Sequence, residues 1–372
     1  MISNTKKHFR ILLILSMACI ITLFTAVVAH AAPTGTTMAH PFNATFGSKH
    51  TASWTKDTNN VFFYSKVTIN ETGLLKMTFS KPFDSDGEYG RLMITVSDED
   101  GEPLWSSDTY KMNESASPNY KFSVGLKPGS YFVSIVPKFY VRSGLITTDF
   151  VYEFEANPYV EIEPNSSTAT ATQLEKGIFY SATLGNGGGD YGRNNFFKIK
   201  LKKNSSYRLV FDNYGEIDET TALITILGPS NKEVRKGDSQ VNSSGYEYFE
   251  FIAPSTGTYY IKLYNYHKNP INYRLKVSDA LKPGKTTITN FFSLTNELSI
   301  YAKDVSNVKG YQVQYSTKKA NVKKAKKYSS DDFNIEIPVS RTYSKYYARV
   351  RTYKYIDGTK VYSSWSKIKC FT

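Results

Sequence analysis

Lys127-Pro128-Gly129-Ser130-Tyr131-Phe132-Val133 and Pro254-Ser255-Thr256-Gly257-Thr258-Tyr259-Tyr260-Ile261 read as one piece of chain written twice. In each, a turn ends at a glycine and gives way to aromatic and β-branched residues, the composition of a strand leaving a hairpin. Other matches flank them in the same order. Asn59-Asn60-Val61-Phe62-Phe63 recurs as Arg193-Asn194-Asn195-Phe196-Phe197, and Leu92-Met93-Ile94-Thr95-Val96 as Ala222-Leu223-Ile224-Thr225-Ile226. Tyr152-Glu153-Phe154 recurs near Tyr273-Arg274-Leu275. Matches in the same order, at offsets between about 120 and 135 residues, predict a tandem duplication.

The rest of the chain has the same texture. Alternating apolar and polar runs such as Tyr207-Arg208-Leu209-Val210-Phe211 are separated by Gly, Pro, Asn and Asp clusters. Aromatics make up 15% of the 372 residues, with 29 Tyr. Short strands at close spacing and the lack of a long amphipathic helix predict an all-β protein of three consecutive β-sandwich modules.

The first two modules, expected over 41–156 and 157–279, resemble the pre-peptidase C-terminal domain of secreted bacterial proteases and collagenases. The second copy carries the resemblance best. Glu161-Ile162-Glu163-Pro164-Asn165-Ser166 supplies its opening, Asn195-Phe196-Phe197 its aromatic strand, and Gly257-Thr258-Tyr259-Tyr260-Ile261 its late hairpin. After the linker-like Lys282-Pro283-Gly284, residues 283–372 resemble an Ig-like fibronectin type III domain. That likeness lies in Lys309-Gly310-Tyr311-Gln312-Val313-Gln314-Tyr315, in Tyr346 to Tyr353, and in Trp365-Ser366. The early strand around Tyr301-Ala302 departs from it by lacking a core Trp.

Residues 1–31 read as a signal peptide. Lys6, Lys7 and Arg10 precede the apolar run Ile11–Val28, and Ala29-His30-Ala31 offers a small-x-small cleavage site. The expectation is therefore a secreted, extracellular and wall-associated protein in the style of a Gram-positive bacterium. A membrane would be touched only through this segment, were it left uncleaved. With Cys19 gone, Cys370 has no partner for an internal disulfide.

Charge is unevenly spread. From Ala280 onward there are 18 Lys and Arg against six Asp and Glu, a net of +12 in a chain whose total is +13. The densest run is Lys318, Lys319, Lys323, Lys324, Lys326 and Lys327. Its functional reading is attachment to an anionic cell-wall polymer or polysaccharide; its plain reading is a solubilising sheet edge. Export argues against nucleic acid as the partner.

Catalytic patterns are not found. His40, His50 and His267 lack zinc spacing, no Gly-x-Ser-x-Gly elbow occurs, and Gly187-Gly188-Gly189-Asp190 is not followed by a helix. Asp98-Glu99-Asp100 reads as a solvated hairpin turn rather than a glycosidase pair. The resemblance implies a structural calcium site instead, with Glu161, Glu163 and Asn165 as donors and Asp190 able to join them. The acids the family places before its aromatic strand are here Arg193 and Asn195, and the competing reading is a linker with exposed carboxylates. Tyr259, Tyr264 and Tyr266 are aromatic ligand-contact candidates, to be weighed against burial in the core.

The expectation for function is a non-catalytic binding or adhesion protein of the cell surface, its basic last module holding an anionic wall polymer or glycan. A freely secreted accessory factor that targets a polysaccharide or a collagen-like matrix protein is the alternative, and a cryptic glycan hydrolase a third.

Overall fold

Alternation builds the strands. Along 271–277, Ile271, Tyr273, Leu275 and Val277 are buried while the residues between them are half-exposed, so one face is core and the other solvent. The computed structural model describes residues 35–372 except 56–60, 82–90, 110–118, 138–144, 186–193, 214–221, 238–239, 242–246, 266–269 and 342. The expected signal peptide, Asp190, Arg193, Tyr266 and His267 thus lie outside the described residues. Among the described residues no helix is long and apolar enough to cross a membrane.

The protein is all-β, arranged as three sandwiches. The first consists of β1 (Phe42–Asn43), β2 (Lys49–Thr55), β3 (Phe63–Ile69), β4 (Gly73–Ser80), β5 (Leu92–Ser97), β6 (Pro103–Asp108), β7 (Asn119–Leu126), β8 (Gly129–Pro137) and β9 (Leu145–Ala156). Its sheets run β1-β3-β8-β5-β6 and β2-β9-β4-β7. Phe79, Trp105, Phe122, Phe150 and Tyr152 fill the space between them.

The second is β10 (Thr172–Gln173), β11 (Tyr180–Leu184), β12 (Asn194–Leu201), β13 (Ser206–Asn213), β14 (Leu223–Leu227), β15 (Glu233–Gly237), β16 (Gln240–Val241), β17 (Glu247–Ile252), β18 (Gly257–Tyr264) and β19 (Ile271–Asp279). Its sheets run β10-β12-β18-β14-β15 and β11-β19-β13-β17-β16. Apart from the added β16, the strand order is that of the first sandwich. In both, the short opening strand pairs parallel to the third.

The sheet register corrects one repeat match. Ile69 lies opposite Gly129 and Leu201 opposite Gly257, so counting back along β3 and β12 sets Phe63 in the place of Asn195 and Ser65 in that of Phe197. The paired aromatics drew the sequences into alignment two residues out of step. That shift keeps every side chain on its face, so periodicity gave no warning.

The third sandwich holds β20 (Ile288–Leu294), β21 (Glu297–Ala302), β22 (Gly310–Ser316), β23 (Lys327–Ser330), β24 (Asn334–Pro338), β25 (Tyr346–Ile356), β26 (Thr359–Tyr362) and β27 (Lys369–Phe371). Sheet β20-β21-β24 faces sheet β23-β22-β25-β26, with β27 paired to β25. Along β25, Tyr346, Ala348 and Val350 enter the core. On its other face Arg349 and Arg351 donate to Gln314 and Gln312, and both guanidinium groups lie 4.4 Å from the Trp365 ring. Tryptophan covers arginine here instead of entering the early core.

The joints between sandwiches are specific. Trp105 Nε1 donates to Thr183 O at 2.8 Å, Ser123 N to Thr183 Oγ1 at 2.7 Å, and Val160 bridges Ser181 in parallel. Gly125 sits so close to the connecting segment that a Cβ there would stand 1.6 Å from Glu161 O. Between second and third sandwiches, Glu250 pairs with both Arg208 and Lys354, and Arg235 with Asp357.

Candidate functional site

The segment leaving β9 does not run through solvent. Glu163 N donates to Gly125 O in the first sandwich, and Asn165 O accepts from Phe196 N in the second, at 3.1 and 2.8 Å. Clamped on both sides, the segment turns Glu161, Glu163 and Asn165 inward, where they are 1%, 8% and 0% exposed. This overturns the reading of an open linker with solvated carboxylates. Strand β12 adds Asn195 and β19 adds Tyr273, each fully buried.

The cluster is linked by hydrogen bonds. Glu161 accepts from Asn165 Nδ2 and from the Tyr273 hydroxyl, and Asn195 Nδ2 donates to that hydroxyl at 3.2 Å. Asn165 N donates to Glu163 Oε2 at 2.9 Å. Burial pushes the Glu161 carboxyl up to about 7 against these donors. Glu163 is held well above the usual carboxylate range, first by burial and then by the charge of Glu161 beside it.

Three buried oxygens, Glu163 Oε1, Asn165 Oδ1 and Asn195 Oδ1, have no hydrogen-bond partner among the described residues. Unpaired buried acceptors are costly. These three belong to residues linked through one hydrogen-bond network to two carboxylates, and oxygen is the donor type of a hard divalent cation. The residues present therefore fit calcium. Among the described residues no three His, Cys, Asp or Glu gather as a metal group, since amides supply half of these donors.

Sequence reading brought Glu161, Glu163 and Asn165 together and noted Asn195 only as a missing acid. It missed Tyr273, whose one signal was a hydroxyl at an inward position of an otherwise apolar strand face.

The lysine run lies in the third sandwich on a 3₁₀ helix, Lys319–Lys324, and the edge strand β23. Val322 is buried and pins the helix, and Gln314 Nε2 donates to the carbonyls of Lys323 and Ala325. With the helix held by its backbone and Val322, Lys318, Lys319, Lys323, Lys324, Lys326 and Lys327 are all exposed.

The tyrosine expectation needs correction. Tyr259 is 0% exposed and its hydroxyl donates to Ser255 O at 2.8 Å, so it belongs to the core and cannot meet a ligand. Its neighbour Tyr260 faces outward with Tyr264. Asp98, in turn, spends its carboxylate on its own turn, accepting from Asp100 N and Glu102 N.

A cleft of ≈ 500 Å³ lies between the first two sandwiches, lined by Lys127, Glu163, Thr170, Gln173, Tyr180 and Lys198 among others.

No family model matches the sequence, and no curated protein matches it. Among solved structures, the chain is similar to the pre-peptidase C-terminal domain of a collagenase from Bacillus anthracis. The identity is 17% over 29% of this chain and 93% of that domain, with a TM-score of 0.24. It is also similar to a β-1,2-glucanase from Parabacteroides distasonis, at 10% identity over 52% of this chain and 32% of that one, with a TM-score of 0.20. Scores this low carry no argument about activity.

Proposed function

We propose that this chain is a non-catalytic binding protein of the cell exterior whose third module holds an anionic wall polymer. The lysine run carries the reading. Six exposed ammonium groups fall within residues 318–327, and none forms an ion pair among the described residues. A strand edge kept from aggregating needs only a charge or two, whereas six together create a local potential that draws a polyanion.

On the same reading, the first two modules are a tandem duplication of a pre-peptidase-C-like sandwich, and the third is fibronectin type III-like. The shared strand order of the first two and the inward–outward alternation of β25 support it. The buried cluster is proposed as a structural calcium site held by Glu161, Glu163, Asn165 and Asn195. The ion would neutralise the carboxylates and give the unpaired oxygens a partner.

Cosedimentation of the full chain with purified cell wall across a salt titration tests the anchor. The parent is expected to be retained at low salt and released as salt rises. Replacing all six lysines with glutamine is expected to leave roughly tenfold less protein bound. Equal retention of both would make the lysines a solubility device and defeat the proposal.

A further inference from the structure

The outer face of the β10-β12-β18-β14-β15 sheet carries a pattern that core packing does not require. Phe197, Ile199, Tyr259, Ile261 and Leu263 point into the core, so Phe196, Lys198, Tyr260, Lys262 and Tyr264 share the outward side. They interleave across the strands: Phe196 lies opposite Lys262, and Lys198 opposite Tyr260. Lys262 Nζ stands 5.7 Å from the Phe196 ring centroid and 5.8 Å from that of Tyr264. Cation–π attraction at this range holds the ammonium between two rings.

The five strands contain one carboxylate, Glu233, against Lys198, Lys200, Arg235, Lys236 and Lys262. At its β10 edge the face runs into the ≈ 500 Å³ cleft, because Gln173 and Lys198 belong to both. Lys127 of the first sandwich lines the same cleft, as does Glu163, whose carboxylate belongs to the buried cluster.

We propose that this face and cleft together bind an acidic polysaccharide. Sugar rings would stack on Tyr260 and Tyr264, and uronate carboxylates would meet Lys262, Lys198 and Lys127. The interleaving selects the ligand. A neutral glycan needs rings without cations, and a bare polyphosphate needs cations without rings. Single-stranded nucleic acid shares both needs. It is disfavoured because the cations are lysines, not the flat guanidinium groups suited to phosphate, and the one arginine of these strands is paired with Asp357.

Isothermal titration of the full chain with polygalacturonate decides it, with dextran as the neutral glycan and oligo(dT) as the nucleic acid. Polygalacturonate is expected to bind and dextran not. Tyr260→Ala or Tyr264→Ala is expected to weaken binding roughly threefold to tenfold. Lys262→Gln is expected to weaken it and reduce its salt dependence. These side chains are half-exposed, so a parental melting temperature verifies each fold, and Lys262→Gln still decides the matter if a tyrosine variant melts early.

The site is independent of the wall-anchor reading. The variant with all six third-module lysines replaced by glutamine is expected to keep polygalacturonate binding. Loss of binding in that variant while the sheet variants bind like the parent would overturn the proposal. So would no binding of polygalacturonate, or tighter binding of oligo(dT).

Discussion

The first and second sandwiches share a strand order but not a use. Where the first has Phe63, the second has Asn195, and where the first has Ser134 and Val136 on β8, the second has Lys262 and Tyr264 on β18. Ser134 and Val136 are buried, although alternation turns them away from the core of their own sandwich; Lys262 and Tyr264 are half-exposed. The inner tyrosines differ as well. Tyr152 exchanges a hydrogen bond of 2.8 Å with the neutral Ser65 hydroxyl, whereas Tyr273 donates to a carboxylate. A scaffold set by hairpins and apolar alternation tolerates wholesale change at its polar positions. Those positions are where the two sandwiches differ.

Three substitutions or conditions would break or sharpen this contrast. Gly125→Ala drives a Cβ into the backbone of the connecting segment and is expected to destabilise the chain by about 3 kcal/mol, measured by urea unfolding. A comparable change on the opposite side of the first sandwich, such as Lys66→Ala, is expected to cost far less.

The cluster itself predicts a pH dependence. Both glutamates have folded-state pKa values above the ordinary one, so the folded protein binds more protons than the unfolded chain between the two. In chelator, the stability contributed by their protonated forms is therefore fully present below the ordinary carboxylate range and is lost as pH rises toward and past about 7. Calcium at a hundred times its dissociation constant is expected to restore about 2.7 kcal/mol at pH 8. A melting temperature indifferent to both pH and calcium would remove the cation from the picture.

The smallest effect separates the two tyrosines. Tyr273→Phe removes a donor from a buried carboxylate and is expected to cost about 2 kcal/mol at pH 8 in chelator, against about 1 kcal/mol for Tyr152→Phe. Equal costs would mean that Glu161 is not charged there.

Much of this architecture was legible because hairpins and alternation are local. Gly129-Ser130-Tyr131 and Gly257-Thr258-Tyr259 open their strands as the sequence implies, and Glu161, Glu163 and Asn165 do converge. What escaped was long-range or a matter of parity. Nothing local shows that the segment carrying Glu161 passes between two sandwiches, because its burial is supplied by Gly125 and Phe196 from far along the chain. Tyr259 and Tyr260 are chemically alike, and only the period of two places one in the core and the other outside. The place of Trp365 over Arg349 and Arg351 is likewise long-range, set by pairing between β22 and β25.

The clamped segment also has a mechanical meaning. Residues 157–171 between β9 and β10 would, as a free tether, let the first two sandwiches separate by about 50 Å under tension. Fastened at Val160 to one sheet, at Glu163 to Gly125 and at Asn165 to Phe196, they offer no such slack. A load applied along the chain reaches the second sandwich before the joint can pay out, so the pair behaves as a strut rather than a spring.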